Sequence, residues 1–223
     1  MKRAIWMGLV LLLSLVAFSP AWGLTDEEYR QLLAQSQEFR EADEGLRGAW
    51  EEAKEKLTPG EFRRLGEVQR AWLREGRDVG AGRRIREGVP KAKAYADATM
   101  DQVVLINGEI SRSFLRKNPK GAQGLYVLSR KGVSGVLEVY GTDDKGRELF
   151  VALEATVRDG KGAARTVSFQ GRGVLANGRA SVVSDSIPKR ELTLLFSGRE
   201  VTVVTGPAFR DGGGVVPDGV YVR

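Results

Sequence analysis

The chain has 223 residues, 29% charged and 42% hydrophobic, the make-up of a globular protein with room for one large or two modest cores. Its formal charge is +6, and it contains neither cysteine nor histidine. That excludes disulfides, a lipid anchor on an N-terminal cysteine, His-based triads and the common His/Cys zinc sites, and argues against an enzyme.

Residues 1–23 read as a signal peptide: Lys2 and Arg3 are basic, 5–18 is apolar, and Ala21-Trp22-Gly23 is a small-x-small cleavage site. The apolar run is short for a membrane span and leads into Pro20. The expectation is a periplasmic or secreted protein, not a lipoprotein, with its mature start at Leu24 and no membrane span after cleavage.

Helical spacing follows. Thr25 and Glu28 form a capping box, and Tyr29, Leu32, Leu33, Phe39, Leu46, Trp50, Ala53 and Leu57 fall largely on one face. Gly45 and Gly48 predict a bend. Thr58, Pro59 and Glu61 start a second helix, with Phe62, Leu65, Val68, Trp72 and Leu73 in apolar rhythm. Trp50 and Trp72 lie on the apolar stripes and are predicted to be core. Residues 24–57 carry ten acidic and five basic side chains, and residues 58–93 carry five and ten. Opposite charge favours antiparallel pairing of the two arms, with Arg63, Arg64, Arg70, Arg74 and Arg77 turned to the acidic helix rather than to a polyanion.

Gly76, Gly80 and Gly82 are expected to weaken or end the second helix. Pro90 opens a third, through Ala92, Tyr95, Ala98, Val103 and Ile106, with fraying at Gly108 before Ile110, Phe114 and Leu115. A helical hairpin or three-helix domain over 24–117 follows, and Asn118-Pro119-Lys120-Gly121 is a linker over 118–121.

From 122 to 223 the period becomes two. Leu149, Val151, Leu153, Ala155 and Val157 alternate, as do Leu192, Leu194 and Phe196, and Val201, Val203 and Thr205. Hairpin signals stand at 143–146, 159–162, Asn177-Gly178 and Ser197-Gly198. About eight antiparallel strands should form a barrel or sandwich, so the fold class is α+β. The related segments Gly124-Leu125-Tyr126-Val127 and Gly219-Val220-Tyr221-Val222 suggest that first and last strands pair and close the sheet.

Gln69, Arg70, Ala71, Trp72, Leu73, Arg77 and Asp78, with Ala42-Asp43, Leu46 and Trp50 before them, resemble the helical domain of LprI-type lysozyme inhibitors. The family's cysteine after the Arg-Asp pair is replaced here by Gly80 and Ala81. The β half resembles a domain of exported bacterial proteins in its G-x-Y start, Phe169-Gln170-Gly171-Arg172-Gly173, the run 192–196, and its G-V-Y-V-R end. There too the usual cysteines are missing, with Ser168 and Gly212-Gly213-Gly214 in those regions.

The resemblance implies a stoichiometric inhibitor that occludes the glycan cleft of a lysozyme, without catalytic residues, metal or cofactor. Many lysozymes are basic, so a basic inhibitor needs local acidic patches. The loop residues Asp143, Asp144, Asp159 and Asp211 are the candidate contacts, and Gln69, Arg70, Trp72, Leu73, Arg77 and Asp78 are expected to be structural. Asp143, Asp144 and Glu148 lack the EF-hand pattern for calcium, and the triple glycine lacks the strand-to-helix context of an anion cradle. Two alternatives stand beside the inhibitor: an envelope adaptor binding anionic polymer or another protein, and a glycan-active enzyme with two acids facing across a cleft.

Overall fold

The computed structural model describes residues 24–130, 132–158, 163–187, 189–209 and 216–223. The predicted signal peptide lies outside them. Helices α1 (Asp26–Gln35), α2 (Gln37–Lys56), α3 (Pro59–Ala71), α4 (Arg77–Arg86) and α5 (Lys91–Lys117) precede eight strands, which makes the chain α+β as expected.

Capping sets the helix starts. Thr25 and Glu28 hold each other's backbone N–H at 3.0 and 3.2 Å, and Thr58 and Glu61 do the same at 2.9 and 3.3 Å. The break in the first arm falls at Ser36, not at Gly45 or Gly48. Ser36 is extended, ends α1, and accepts the Phe39 N–H at 3.2 Å to start α2. A side chain that takes over an orphan donor ends a helix more decisively than two glycines whose hydrogen bonds stay intact.

The second arm also differs from expectation. α3 passes through a π-helical segment, Trp72–Gly76, into α4 without ending at its glycines. The Arg77 N–H bonds to the Trp72 carbonyl five residues back. The inward positions Phe62, Leu65, Gln69 and Trp72 then resume at Arg77, Ala81 and Ile85, so one five-residue step absorbs the extra residue. Gly80 faces α5, and a Cβ there would make an ordinary 3.6 Å contact with Ala98 Cβ. The helix stops at Gly88 (φ +89°), where the Gly88 and Val89 N–H groups turn back to Ile85 and Arg84.

α2 packs chiefly along α5, and it touches α3 where Trp50 meets Phe62. Arg63, Arg64, Arg70 and Arg74 are exposed and form no ion pair among the described residues, which overturns the predicted charge pairing of the arms. Helix-to-helix ion pairs run through α5 instead: Lys91–Glu28, Arg84–Asp101 and Arg116–Glu61. Burial of apolar surface selects the partner, whereas an exposed ion pair contributes only about 0–1 kcal/mol. Two buried clusters result, one around Phe39, Ala81, Ala94 and Tyr95, the other around Ala53, Leu65, Val103 and Ile106. Trp50 packs against the second, 4.8 Å from Phe62. Trp72 is only half-buried and belongs to neither cluster, a correction to its predicted core role. α5 runs unbroken past Gly108.

The strands are β1 (Gly124–Arg130), β2 (Val133–Gly141), β3 (Glu148–Arg158), β4 (Ala164–Ala176), β5 (Arg179–Ser184), β6 (Glu191–Ser197), β7 (Glu200–Thr205) and β8 (Gly219–Val222). They form a closed antiparallel barrel in sequence order, sealed where Val127 of β1 pairs with Val222 of β8. Its interior is filled by Tyr126, Leu137, Val151, Phe169, Leu192, Leu194, Val203 and Tyr221, among others. The Phe169–Gly173 element has a structural reason: a Cβ on Gly171 or Gly173 would lie 2.2 Å from the carbonyl oxygen of Val183 or Ser181 on β5.

Gly173→Ala forces β4 and β5 apart and is expected to destabilise the protein by about 1–3 kcal/mol. Urea unfolding followed by circular dichroism measures it, with Gly48→Ala, which lies inside α2 and meets nothing within 4 Å, expected instead to stabilise by up to about 1 kcal/mol.

Candidate functional site

The C-terminal half of α5 lies against the outside of the barrel at β1 and β2. Leu125 marks the contact: it pairs with Glu138 on the outward register and is nevertheless buried. On β2, β3 and β4 the outward rows are Ser134–Thr156–Thr166, Val136–Glu154–Ser168, Glu138–Ala152–Gln170 and Tyr140–Phe150–Arg172. Between these rows and Val104, Leu105 and Gly108 of α5 runs a trough of about 650 Å3. A second hollow of about 250 Å3 extends it towards β1 and shares Arg112 and Glu154 with it.

Arg112 stands where the hollows meet. Its Nε donates to Glu138 Oε1 at 2.8 Å and its Nη1 to Glu109 Oε1 at 3.0 Å. The Tyr140 hydroxyl donates to the other Glu138 oxygen at 2.6 Å. Burial opposes charge on the Arg112 guanidinium, but Glu138 and Glu109 outweigh it and its pKa rises. The Tyr140 phenol is also pushed up, first by burial and then by the Glu138 carboxylate. The result is a charged guanidinium and a neutral phenol at ordinary pH, each already engaged. Beside them the Tyr140 and Phe150 rings lie 6.0 Å apart at 42°, with the Arg172 guanidinium 5.9 Å from the Phe150 centroid.

Tyr140 and Phe150 lie on the strands that flank the β2–β3 hairpin, which carries Asp143 and Asp144. Asp143 is taken up by its own loop: its carboxylate accepts the Arg147 and Glu148 N–H groups at 2.6 and 2.9 Å. These bonds, Glu148 first, lower its pKa. Asp144 stays exposed at the tip. Asp159 and Asp211 lie outside the described residues. Among the described residues, no group of three or more acidic side chains is placed to hold a metal ion.

The motif residues of the helical half are gathered elsewhere. Gln69 accepts a hydrogen bond from Gln102 at 2.7 Å. Asp78 accepts the Leu24 N–H at 3.3 Å and the Tyr95 hydroxyl, while burial, ahead of Asp78, pushes Tyr95 up to about 12. Arg77 lies 3.7 Å from Asp78 and 6.0 Å from the Tyr29 ring centroid. Asp43 takes the Tyr29 hydroxyl and Arg47. Arg70 and Leu73 are exposed, and Trp72 is half-buried. Sequence reading missed the trough: Arg112, Glu138, Tyr140 and Phe150 were not singled out. The available signal was a largely polar and aromatic outer row on strands whose inner row is apolar.

No family model, curated protein or solved structure matches this chain.

Arg112→Ala and Glu138→Ala are each expected to cost about 1–3 kcal/mol, since each takes its closest charged partner from a half-buried charge. The double variant should cost less than the sum by at least about 0.5 kcal/mol, read from urea unfolding. Strict additivity would show that the pair does not couple helix to barrel.

Proposed function

We propose that the protein is an exported binding protein of the cell envelope that acts by stoichiometric occupation, with a lysozyme as its partner. The observation that carries this reading is the pre-ordered β2–β3 hairpin. Its loop is held by Asp143 from within, so little freedom is lost on docking, and Asp144 is left outward as an acidic contact for a basic partner. The trough chemistry is consistent with binding rather than turnover. Both oxygens of Glu138 are engaged, and Arg112 and Tyr140 are shifted away from the range in which they would exchange protons near neutral pH. Glu138 and Glu154 stand on the same wall, on neighbouring strands, rather than facing across a cleft as an acid–base pair does. The choice of lysozyme rests on the resemblance of the helical motif and of the β half to the inhibitor family and its companions.

The test is lysozyme turnover of a soluble chromogenic oligosaccharide during titration with the purified protein. Activity should fall to a break near one equivalent, and Asp144→Lys should weaken inhibition by about tenfold, roughly 1.4 kcal/mol. Undiminished turnover at large excess removes the lysozyme reading.

A further inference from the structure

We propose that the trough between α5 and the barrel is a binding site for a neutral, linear oligosaccharide. This rests on the reading as an envelope binding protein but not on lysozyme as the partner. The two hollows share Arg112 and Glu154 in their linings and together give the site an elongated outline. It crosses β1 to β4, about 14 Å at ~4.8 Å per strand, enough for roughly three sugar rings.

Three features select a sugar chain. The barrel is closed, so these strands offer no free edge to an extended peptide, whose backbone N–H and C=O groups would have to find side-chain partners. The walls offer hydroxyl, amide and carboxylate groups (Ser134, Ser168, Gln170, Glu154) that match the donor-and-acceptor character of sugar hydroxyls. Tyr140 and Phe150 add adjoining half-buried rings for the apolar C–H face of a pyranose. Charge selects a neutral ligand. Arg112 is neutralised by Glu138 and Glu109, and Glu154 forms no ion pair among the described residues and repels an anionic chain.

The experiment is calorimetric titration of the protein with a soluble N-acetylglucosamine hexamer. Binding should weaken at least tenfold in Phe150→Ala, which removes a ring, and in Ser168→Arg, which fills the trough at an exposed position. Val204→Thr, on the outside of β7, should leave it unchanged. Thermal melts of all three identify any variant that fails to fold, and the other trough variant then decides. No heat of binding, binding indifferent to both trough variants, or binding of an extended hexapeptide in place of the sugar overturns the proposal. A lysozyme assay separates this site from inhibition. Sequestered substrate makes the apparent inhibition fall as substrate is raised above the protein, whereas occupation of the enzyme gives a break that tracks lysozyme concentration.

A separate contact carries a second inference. The Leu24 nitrogen lies 3.3 Å from Asp78 Oδ1, and Leu24 is the residue that cleavage after Gly23 would expose. We infer that Asp78 receives the α-ammonium of the processed chain, so that removal of the signal peptide strengthens the docking of α1 on α4. Tyr95 holds Asp78 from α5, with Arg77 beside it and Glu28 and Lys91 nearby. A chain beginning at Leu24 should melt about 2–4 °C above one with Gly-Ser added in front, and Asp78→Asn should abolish the difference. Equal melting of the two chains with Asp78 intact overturns the clasp. N-terminal sequencing of the exported protein tests the cleavage position separately.

Discussion

α5 is the element that everything else is fastened to. Its N-terminal half buries Ala94, Tyr95 and Ala98 against α2 and α4, and its middle supplies Val103 and Ile106 to the second helical cluster. Its last turns reach in two directions. Ser113 and Arg116 hold Glu61 at the start of α3, at 2.9 and 2.8 Å, while Arg112 holds Glu138 on the barrel. Burial alone would disfavour the Glu61 carboxylate, yet Thr58, Ser113 and Arg116 together hold its pKa down at about 2. One residue thus caps a helix and ties two helices together, and its neighbour on α5 ties both to the sheet.

This arrangement is what a two-part protein without cysteine requires. A disulfide stabilises chiefly by restricting the unfolded chain, and long-range contacts must act on the folded state instead. Here they are aromatic hydroxyls on carboxylates and an amide pair at the margins of small apolar clusters: Tyr29 on Asp43, Tyr95 on Asp78, Gln102 on Gln69. In the barrel the corresponding job is done at the seam. Arg223 reaches the carbonyls of Gly121 and Gln123 at 2.9 and 3.2 Å, which binds the chain end to the junction with the helices. The segment 118–121, read from sequence as a linker, is therefore held at both ends.

What was legible follows from the range of the forces involved. Capping boxes at Thr25 and Thr58, the change of period after 121 and the hairpin at Asn177-Gly178 are local, and all stand as read. Closure of β1 on β8 was readable because the two segments resemble each other. The errors concern competition between local and tertiary terms. Gly76, Gly80 and Gly82 have low helix propensity, but helix contacts with α5 outweigh about 1 kcal/mol per glycine, and the strain emerges as a π-segment rather than an end. Trp72 fits the apolar stripe by spacing, yet it stands at that very segment, where the stripe steps by five. The trough was illegible because it exists only where a helix residue, Arg112, meets strand residues 26 positions and more away.

Charge makes the same point about function. Read along the chain, the acidic first arm and the basic second arm cancel. In the fold their best-placed charges turn away from each other, and Arg63, Arg64, Arg70 and Arg74 remain on the surface. Yet a basic helix face with nothing buried beside it is only a solvated surface, and its attraction for an anion is screened within about 8 Å at physiological salt. The trough has a different character: a half-buried guanidinium, a carboxylate saturated by two donors, and two half-buried aromatic rings, one with the Arg172 guanidinium over it. Groups held so firmly lose little freedom when a ligand arrives, and half-buried rings gain when it completes their burial. Those two conditions coincide at the junction of helix and barrel, the part of the molecule that neither half could form alone.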